Sequence, residues 1–587
     1  MTYQAPINAI QYLLRHSIDL QGLCAAHAEL SDELITDILS GASQFATEVL
    51  APINRVGDEY GAKIDGETVT VAPEFKDAYK SFVEAGWQGL SAPENIGGMS
   101  LPQIVSIAVN EMIYAANMAF GLCPMLTGSS INAIIAHADQ KLKDIYLGKM
   151  VSGEWTGAMN LTEPQAGSDL GALRAKAVPN SDGTYAVSGQ KIFITWGDHD
   201  CADNIIHLIL ARLPDAPEGS RGISLFLAPK MLVNEDGSLG EQNNIKAIGL
   251  EHKLGIHGSP TCVMEFDHAK AWMVGQSNKG LACMFTMMNE ARQFVGVQGV
   301  AIGERAYQAA LAYAGERVQG KVLGGDKKAP ILGHPDVRRM LMDMKAGLMG
   351  ARAINMATSF SRDISRCVQD ETIRKAAHAR EALLTPIAKA YGSDMGVSVS
   401  STALQVHGGM GFIEETGAAQ HYRDSRIAPI YEGTNGIQAM DLVSRKVRRD
   451  NGATMRALIE EMNIVLVETK ALHGTDGYDF GCKIRHLGAG LEALKAATDY
   501  VLQANDKDVL SICDAYLQIC GDVISGALLI KSVLAGIKAG DGFAGAMQKL
   551  TWHHALRYLS RAPSYLDAIL HGAGPVYALD EVRLADL

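Results

Sequence analysis

The sequence predicts an α+β multidomain chain: a helical domain over residues 1–155, a small antiparallel β sandwich or barrel over 156–275, a helical bundle over 276–450 and a helical extension over 451–587. Two observations carry this expectation. Apolar residues recur at helical spacing on both sides of the chain's centre, whereas between about 156 and 275 they gather into short β-rich runs separated by Pro, Gly and Asp. No helical pattern lies between those short runs, which favours a sandwich or barrel over a βαβ sheet. A chain of 587 residues is also long enough for three or four domains.

In the first domain, SDELITDILSGASQFATEVLAPINR (31–55) and IVSIAVNEMIYAAN (104–117) repeat with helical period, and Ser31 followed by Glu33 and Leu34 reads as a helix start. In the second, RAKAVPNSDGTYAVSGQKIFIT holds two β-rich runs joined by Asn180-Ser181-Asp182-Gly183, a hairpin signal. NIIHLILARL, RGISLFLAP and TCVMEF are further strands. In the third, FVGVQGVAIGERAYQAALAYAGERV (294–318) is long and rich in Ala and Gly. Gly296, Gly299 and Gly303 lie roughly on one of its faces, as close helix packing requires. In the fourth, IRHLGAGLEALKAATDYVLQA (484–504) is amphipathic and needs an apolar partner surface.

Composition removes several function classes. Lys plus Arg is 52 and Asp plus Glu is 65, a net charge of −13, which argues against a nucleic-acid binder. Hydrophobic residues at 47% and charged residues at 20% exclude a disordered chain. Nine scattered cysteines without a CxxC give neither a metal site nor a disulfide framework. No signal peptide, no run of about 18 apolar residues and no SKL terminus is read, so a cytoplasmic protein without an integral membrane segment is expected.

Three segments could carry chemistry. NLTEPQAGSD (160–169) places small hydroxyls and Gly167 at the entry to the β region. It suits an anion or the polar edge of a heterocycle, and equally a surface turn. HGGMGFIEE (407–415) interrupts a helical region; it is not GxGxxG and follows no strand, so a Rossmann phosphate loop is a poor reading and a helix break a good one. In APIYEGTNGIQAMDLVSRKV (428–447), Thr434 or Asn435 can cap the next helix, and Glu432 just before it is either a dipole-stabilised surface charge or a positioned general base.

Together these segments resemble the acyl-CoA dehydrogenase family of flavoproteins. APENIGGMSLPQ (92–103), NLTEPQAGSDL (160–170), GQKIFIT (189–195), HKLGIHGSPTC (252–262), QVHGGMGFIEE (405–415) and IAPIYEGTNGIQ (427–438) stand in the family's order and spacing, across about residues 30–450. The resemblance implies a C-terminal four-helix bundle, FAD as cofactor and α,β-dehydrogenation of an acyl-CoA thioester. It implies Glu432 as the base that takes the α-proton, with its own backbone N–H in the oxyanion hole. Met159, Leu161 and Thr162 would lie along the flavin ring, Ser168 near the flavin phosphates and the pantetheine arm, and Phe193, Ile194 and Thr195 behind the ring. Arg317, Gln405, Gly408 and Gly409 would hold the adenosine–pyrophosphate half, partly across a subunit boundary, and Thr434 would also touch the cofactor. Arg292 would face the CoA nucleotide, while Tyr431 and Gly433 would line the thioester. Met159 stands where an aromatic is frequent, Phe193 where Trp is frequent, and Gly436 where many members have Gln. The link after Arg317 is longer than usual. A minority of the family carries its base directly before the position of Arg292; here that residue is Ala291, and Glu290 points about 100° away.

The 137 residues beyond 450 resemble those of a longer bacterial subgroup, which includes 3-methylmercaptopropionyl-CoA dehydrogenases and broad-range fatty acyl-CoA dehydrogenases. The expected substrate is 3-methylmercaptopropionyl-CoA, with a general fatty acyl-CoA of β-oxidation as the alternative. An electron-transfer flavoprotein is the expected acceptor. A homodimer, or a dimer of dimers, is the expected assembly. Remoter alternatives are an acyl-CoA oxidase and a DNA-associated alkylation-response flavoprotein. The latter needs a basic extension, and residues 451–587 hold 12 Lys and Arg against 16 Asp and Glu.

Overall fold

In the computed structural model, which describes residues 3–27, 30–323, 325, 327–475 and 478–586, helices enclose one β unit. The N-terminal part runs α1 (Ile7–His16), α2 (Leu20–Ala26), α3 (Asp32–Phe45), α4 (Ala51–Tyr60), α5 (Phe75–Glu84), α6 (Gln103–Ala116), α7 (Met118–His137) and α8 (Gln140–Ser152). Ser31 caps α3 by accepting from the Leu34 N–H at 3.0 Å, the start its side chain predicts. A two-stranded hairpin, β1 (Lys63–Asp65) with β2 (Thr68–Thr70), interrupts this otherwise helical region.

The β unit comprises β3 (Trp155–Asn160), β4 (Lys176–Pro179), β5 (Tyr185–Thr195), β6 (Asn204–Arg212), β7 (Ile223–Pro229), β8 (Met231–Val233), β9 (Leu239–Gln242), β10 (Ile245–Leu250) and β11 (Thr261–Val274). Strands β5, β11, β7, β6 and β4 pair in a closed ring, with β3 and β10 on its flanks and β8–β9 a separate hairpin. The sheet is not wholly antiparallel as expected: β3 and β4 both run parallel to β6. The β4–β5 hairpin lies between β3 and β6 in sequence, so the chain returns to the same end before β6 begins. Strand β6 is buried on both faces. Ile205, Ile209 and Ala211 fill the ring's own core, while Ile206, Leu208 and Leu210 join the core of the helices. That double burial is why NIIHLIL reads as an unbroken apolar run rather than an alternating one.

The chain then forms α9 (Gly280–Glu316), a hairpin of β12 (Val318–Lys321) and β13 (Lys328–Pro330), α10 (Pro335–Cys367), α11 (Glu371–His407), α12 (Ala418–Ser425) and α13 (Asn435–Asp441). Helices α9, α10 and α11 pack along one another and α12 lies across α9 and α11. The contact of α9 with α11 is backbone to backbone. A Cβ on Gly296 would sit 2.5 Å from the Ala388 carbonyl oxygen, and one on Gly299 would sit 2.1 Å from that of Gly392. These glycines serve helix packing.

The extension continues as α14 (Ala453–Leu472), α15 (Gly481–Gln503), α16 (Asp506–Ala539), α17 (Ala544–Arg557), α18 (Ala562–His571), α19 (Ala573–Val576) and α20 (Glu581–Asp586). Its long central helix α16 packs on α1, α10, α11 and α13 of the same chain. By length and composition, α7 and α16 could cross a membrane, which the sequence reading did not register; most of each lies inside the fold, so both are core helices here.

Candidate active site

Glu432 sits between α12 and α13 in a turn held by backbone bonds. Ile430 and Tyr431 donate to the Ile427 carbonyl at 2.9 and 3.1 Å, and Asn435 donates to that of Pro429 at 3.0 Å. Thr434 caps α13 by accepting from the Ile437 N–H at 3.2 Å. Glu432 and Gly433 both take positive φ, 57° and 84°. Glycine adopts that region freely, whereas for a glutamate it costs about 1 kcal/mol or more, so the surroundings must impose it. They do so through the Glu432 carbonyl, which accepts from Arg292 Nε and from Gln438 Nε2, each at 3.3 Å; Gln438 also donates to the Gly433 carbonyl at 3.2 Å. With the carbonyl turned inward, the Glu432 N–H finds no acceptor among the described residues. It is a preorganised donor of the kind an oxyanion hole needs.

The Glu432 side chain is half-buried. Burial pushes its carboxyl up to about 7, against the opposing pull of Arg292 and Lys389. Lys389, fully buried on α11, is itself pulled down to about 7 by burial, with Glu432 and Asp394 opposing. The Tyr431 hydroxyl donates to Gln298 Oε1, fixing the residue before the carboxylate. Arg292, expected at the CoA nucleotide, is buried; in this chain it holds the Glu432 turn, bonds Asn289 at 3.3 Å and lies 4.0 Å from Asp441. Glu290 is buried too, but bonded to Asn132 and 3.4 Å from Arg362.

A second group forms where β3 meets β5. Lys191, fully buried, donates to the Leu161 carbonyl at 3.0 Å and to Glu163 at 2.8 Å, and the Ile192 N–H donates to the Thr162 carbonyl at 2.9 Å. Glu163 also accepts from the N–H groups of Arg174 and Ala175. Leu161 and Thr162 are therefore clamped beside Phe193, Ile194 and Thr195, with Met159 at the end of β3. A register shift between β5 and β11 falls at Phe193, which takes φ 60° and is left 58% exposed. An aromatic of that size left uncovered at a bulge is a face awaiting an apolar neighbour. Ser168 is exposed at the far end of the loop, past the tight turn that joins Glu163 and Ala166.

The third group lies elsewhere. Arg317 ends α9, and Gln405, Gly408 and Gly409 end α11; all four are exposed. Tyr313 stacks on His407 at 4.6 Å and ties the two ends together. A cavity of about 510 Å³ opens beside them, lined by Arg55, Arg305, His407, Gly417 and His421. Arg317 is 25 residues beyond Arg292 on α9, about 37 Å at 1.5 Å per residue. The sequence reading missed Lys191, Glu163, Gln298, Lys389 and Gln438. Only Lys191 left a signal, a cation at an inward position of GQKIFIT.

A β unit between two helical blocks, with a carboxylate on the last turn before α13, defines a fold-and-site class that comparison with known proteins identifies. Residues 34–154, 158–269 and 278–447 match the N-terminal, middle and C-terminal domains of acyl-CoA dehydrogenases. The chain belongs to the acyl-CoA dehydrogenase family. It is 44% identical to the 3-methylmercaptopropionyl-CoA dehydrogenase of Ruegeria pomeroyi, covering 92% of this chain and 93% of that one. It is 35% identical to a broad-specificity linear acyl-CoA dehydrogenase of Mycobacterium tuberculosis, over 89% of this chain and 88% of the relative. Among solved structures, a Bacillus anthracis acyl-CoA dehydrogenase complexed with FAD superposes with a TM-score of 0.75 at 20% identity, covering 93% of this chain and 89% of that one. That likeness speaks for the fold.

Proposed function

We propose that this enzyme oxidises the Cα–Cβ bond of an acyl-CoA thioester to the trans-2-enoyl-CoA with FAD, and that 3-methylmercaptopropionyl-CoA is its substrate. The observation that carries the chemistry is Glu432: a carboxylate held in a left-handed turn, pushed up to about 7 by burial, beside its own free N–H. The carboxylate takes the α-proton. The Glu432 N–H meets the thioester oxygen as negative charge develops there, so the base and the oxyanion donor come from one residue. Tyr431 and Gly433 flank the thioester, and Arg292 holds the turn in register from behind.

The residues present fit FAD: a clamped loop with hydroxyls at Thr162, Thr195 and Ser168, an uncovered aromatic at Phe193, and open space over Gly408 and Gly409. When bound, FAD supplies the acceptor for the β-hydrogen and its electron pair. Leu161, Thr162 and Phe193 set the ring's position, where an error of about 1 Å can cost 10²-fold in rate. Arg317, Gln405, Gly408 and Gly409 would hold the adenosine–pyrophosphate half, partly across a subunit boundary. The assembly in this reading is a homodimer, working in the cytoplasm and passing electrons to an electron-transfer flavoprotein. The scattered cysteines, without a CxxC, suit that reducing compartment.

The similarity to the Ruegeria enzyme over nine tenths of both chains supports the thioether substrate over a general fatty acyl-CoA. The test is anaerobic bleaching of the flavin by a panel of acyl-CoAs. 3-Methylmercaptopropionyl-CoA should bleach it with the highest kcat/KM. A straight-chain acyl-CoA that wins by tenfold or more would transfer the assignment to fatty acid β-oxidation.

A further inference from the structure

We propose that the C-terminal extension positions the catalytic turn through a chain of half-buried polar contacts: Gln518 of α16 to Asp394 of α11, Asp394 to Asn435 at the start of α13, and Asn435 to Lys389 of α11. Each link is a hydrogen bond. Gln518 Nε2 donates to Asp394 Oδ2 at 3.2 Å, and Asn435 Nδ2 donates to Asp394 Oδ1 at 2.7 Å. Lys389 Nζ donates to Asn435 Oδ1 at 2.8 Å. Ser393 braces the centre, its hydroxyl 3.0 Å from Asn435 Nδ2. The chain starts on a helix beyond residue 450 and ends at a fully buried ammonium that acts on Glu432. Asn435 is three residues from Glu432, and α16 packs directly on α13. Gln518 and Lys389 are thus positioning residues: neither touches the reacting atoms.

The inference rests on Glu432 being the base, and its direction follows from charge. The groups acting on Glu432 are Arg292 from α9 and Lys389 from α11, both favouring the carboxylate; Asp441 and Arg445 act on Arg292 in opposite senses. Burial and Asp514 of α16 favour the neutral form of Asp394, while Asn435, Gln518 and Lys389 favour its charged form. Removing Lys389's charge takes away one of the two cations that keep Glu432 ionised. Removing Gln518 takes away a bond that fixes Asp394, and with it the hold of Asp394 on Asn435 and of Asn435 on the Lys389 ammonium. Both changes raise the pH at which Glu432 becomes a working base.

The experiment follows kcat/KM against pH for the full-length holoenzyme, with flavin content read from its absorbance, in Lys389→Met, Gln518→Leu and Glu432→Gln. Lys389→Met should move the acid limb up by about one pH unit while the high-pH plateau stays within about threefold of the parent. Gln518→Leu should move it in the same direction by a smaller, measurable step, about half a unit, with flavin retained. A general loosening of the fold would instead lower the plateau and the flavin content without moving the limb. If Lys389→Met fails to hold flavin, Gln518→Leu decides. A Gln518→Leu limb that overlays the parent's overturns the proposal, as does a parental limb in a flavin-loaded Lys389→Met. Glu432→Gln separates the two readings: if it keeps near-parental activity, the base assignment has failed; if it is inactive while both other limbs overlay the parent's, only the positioning chain has failed.

Discussion

Glu432 should impose an acid limb on catalysis near neutral pH. Its carboxyl lies at about 7 in the substrate-free enzyme because burial outweighs the attraction of Arg292 and Lys389. The kcat/KM profile reports the ionisation of the free enzyme. A group at about 7 is roughly one tenth ionised a pH unit below that value and nine tenths a unit above, so kcat/KM should rise about tenfold from about pH 6 to about pH 8. A carboxylate at its ordinary value of 4.5 would give a flat line over that interval. The same shift has a stability sign. The folded chain holds this proton between about pH 4.5 and about pH 7 while the unfolded chain releases it, so the group's contribution to stability falls as pH rises through that window. The assay is initial-rate dye reduction across the range, with bound flavin measured at each point. Glu432→Gln should keep FAD and acyl-CoA binding, lose about 10²–10⁴-fold or more in flavin bleaching and lose the limb. Glu432→Asp should keep part of the activity, since the carboxylate retreats by one methylene. A flat parental profile, or a Gln variant that bleaches within tenfold of the parent, refutes the reasoning and makes Glu290 the next residue to test.

Three further outcomes follow from packing. Lys191→Met strands the buried Glu163 carboxylate; even with its two backbone donors left, the loss should be about 3 kcal/mol, seen as a lower melting temperature and FAD release at lower denaturant, and Lys191→Met with Glu163→Gln together should recover part of it. Gly299→Ala drives a methyl to 2.1 Å from the Gly392 carbonyl oxygen, so α9 and α11 must part at a cost of about 1–3 kcal/mol; an unchanged thermal midpoint would contradict that contact. Deleting residues 451–587 uncovers the faces of α10, α11 and α13 that α16 covers, and should give insoluble protein; a soluble, fully active truncation would show that the layer is dispensable.

The sequence determined the α, β, α order, the hairpin at Asn180–Gly183, the Ser31 cap, a cap at Thr434 or Asn435, and the glycine face of α9, because each is encoded within one turn or one period of the chain. It also determined the family, through six segments in order. It marked Glu432 as one of two readings and left the choice to resemblance. Only the tertiary structure shows why that glutamate stands apart: its inverted φ, the Arg292 and Gln438 bonds to its carbonyl and its raised carboxyl arise from residues six to 140 positions away. The parallel pairing of β3 with β6, the burial of α7 and α16 and the link from Gln518 to Lys389 are likewise decisions of packing. Local propensity sees a strand, an apolar helix or a lone lysine. Which partner satisfies each one is settled when distant elements exclude water together, and in this chain that step gives Glu432 its raised carboxyl and its inward-turned carbonyl.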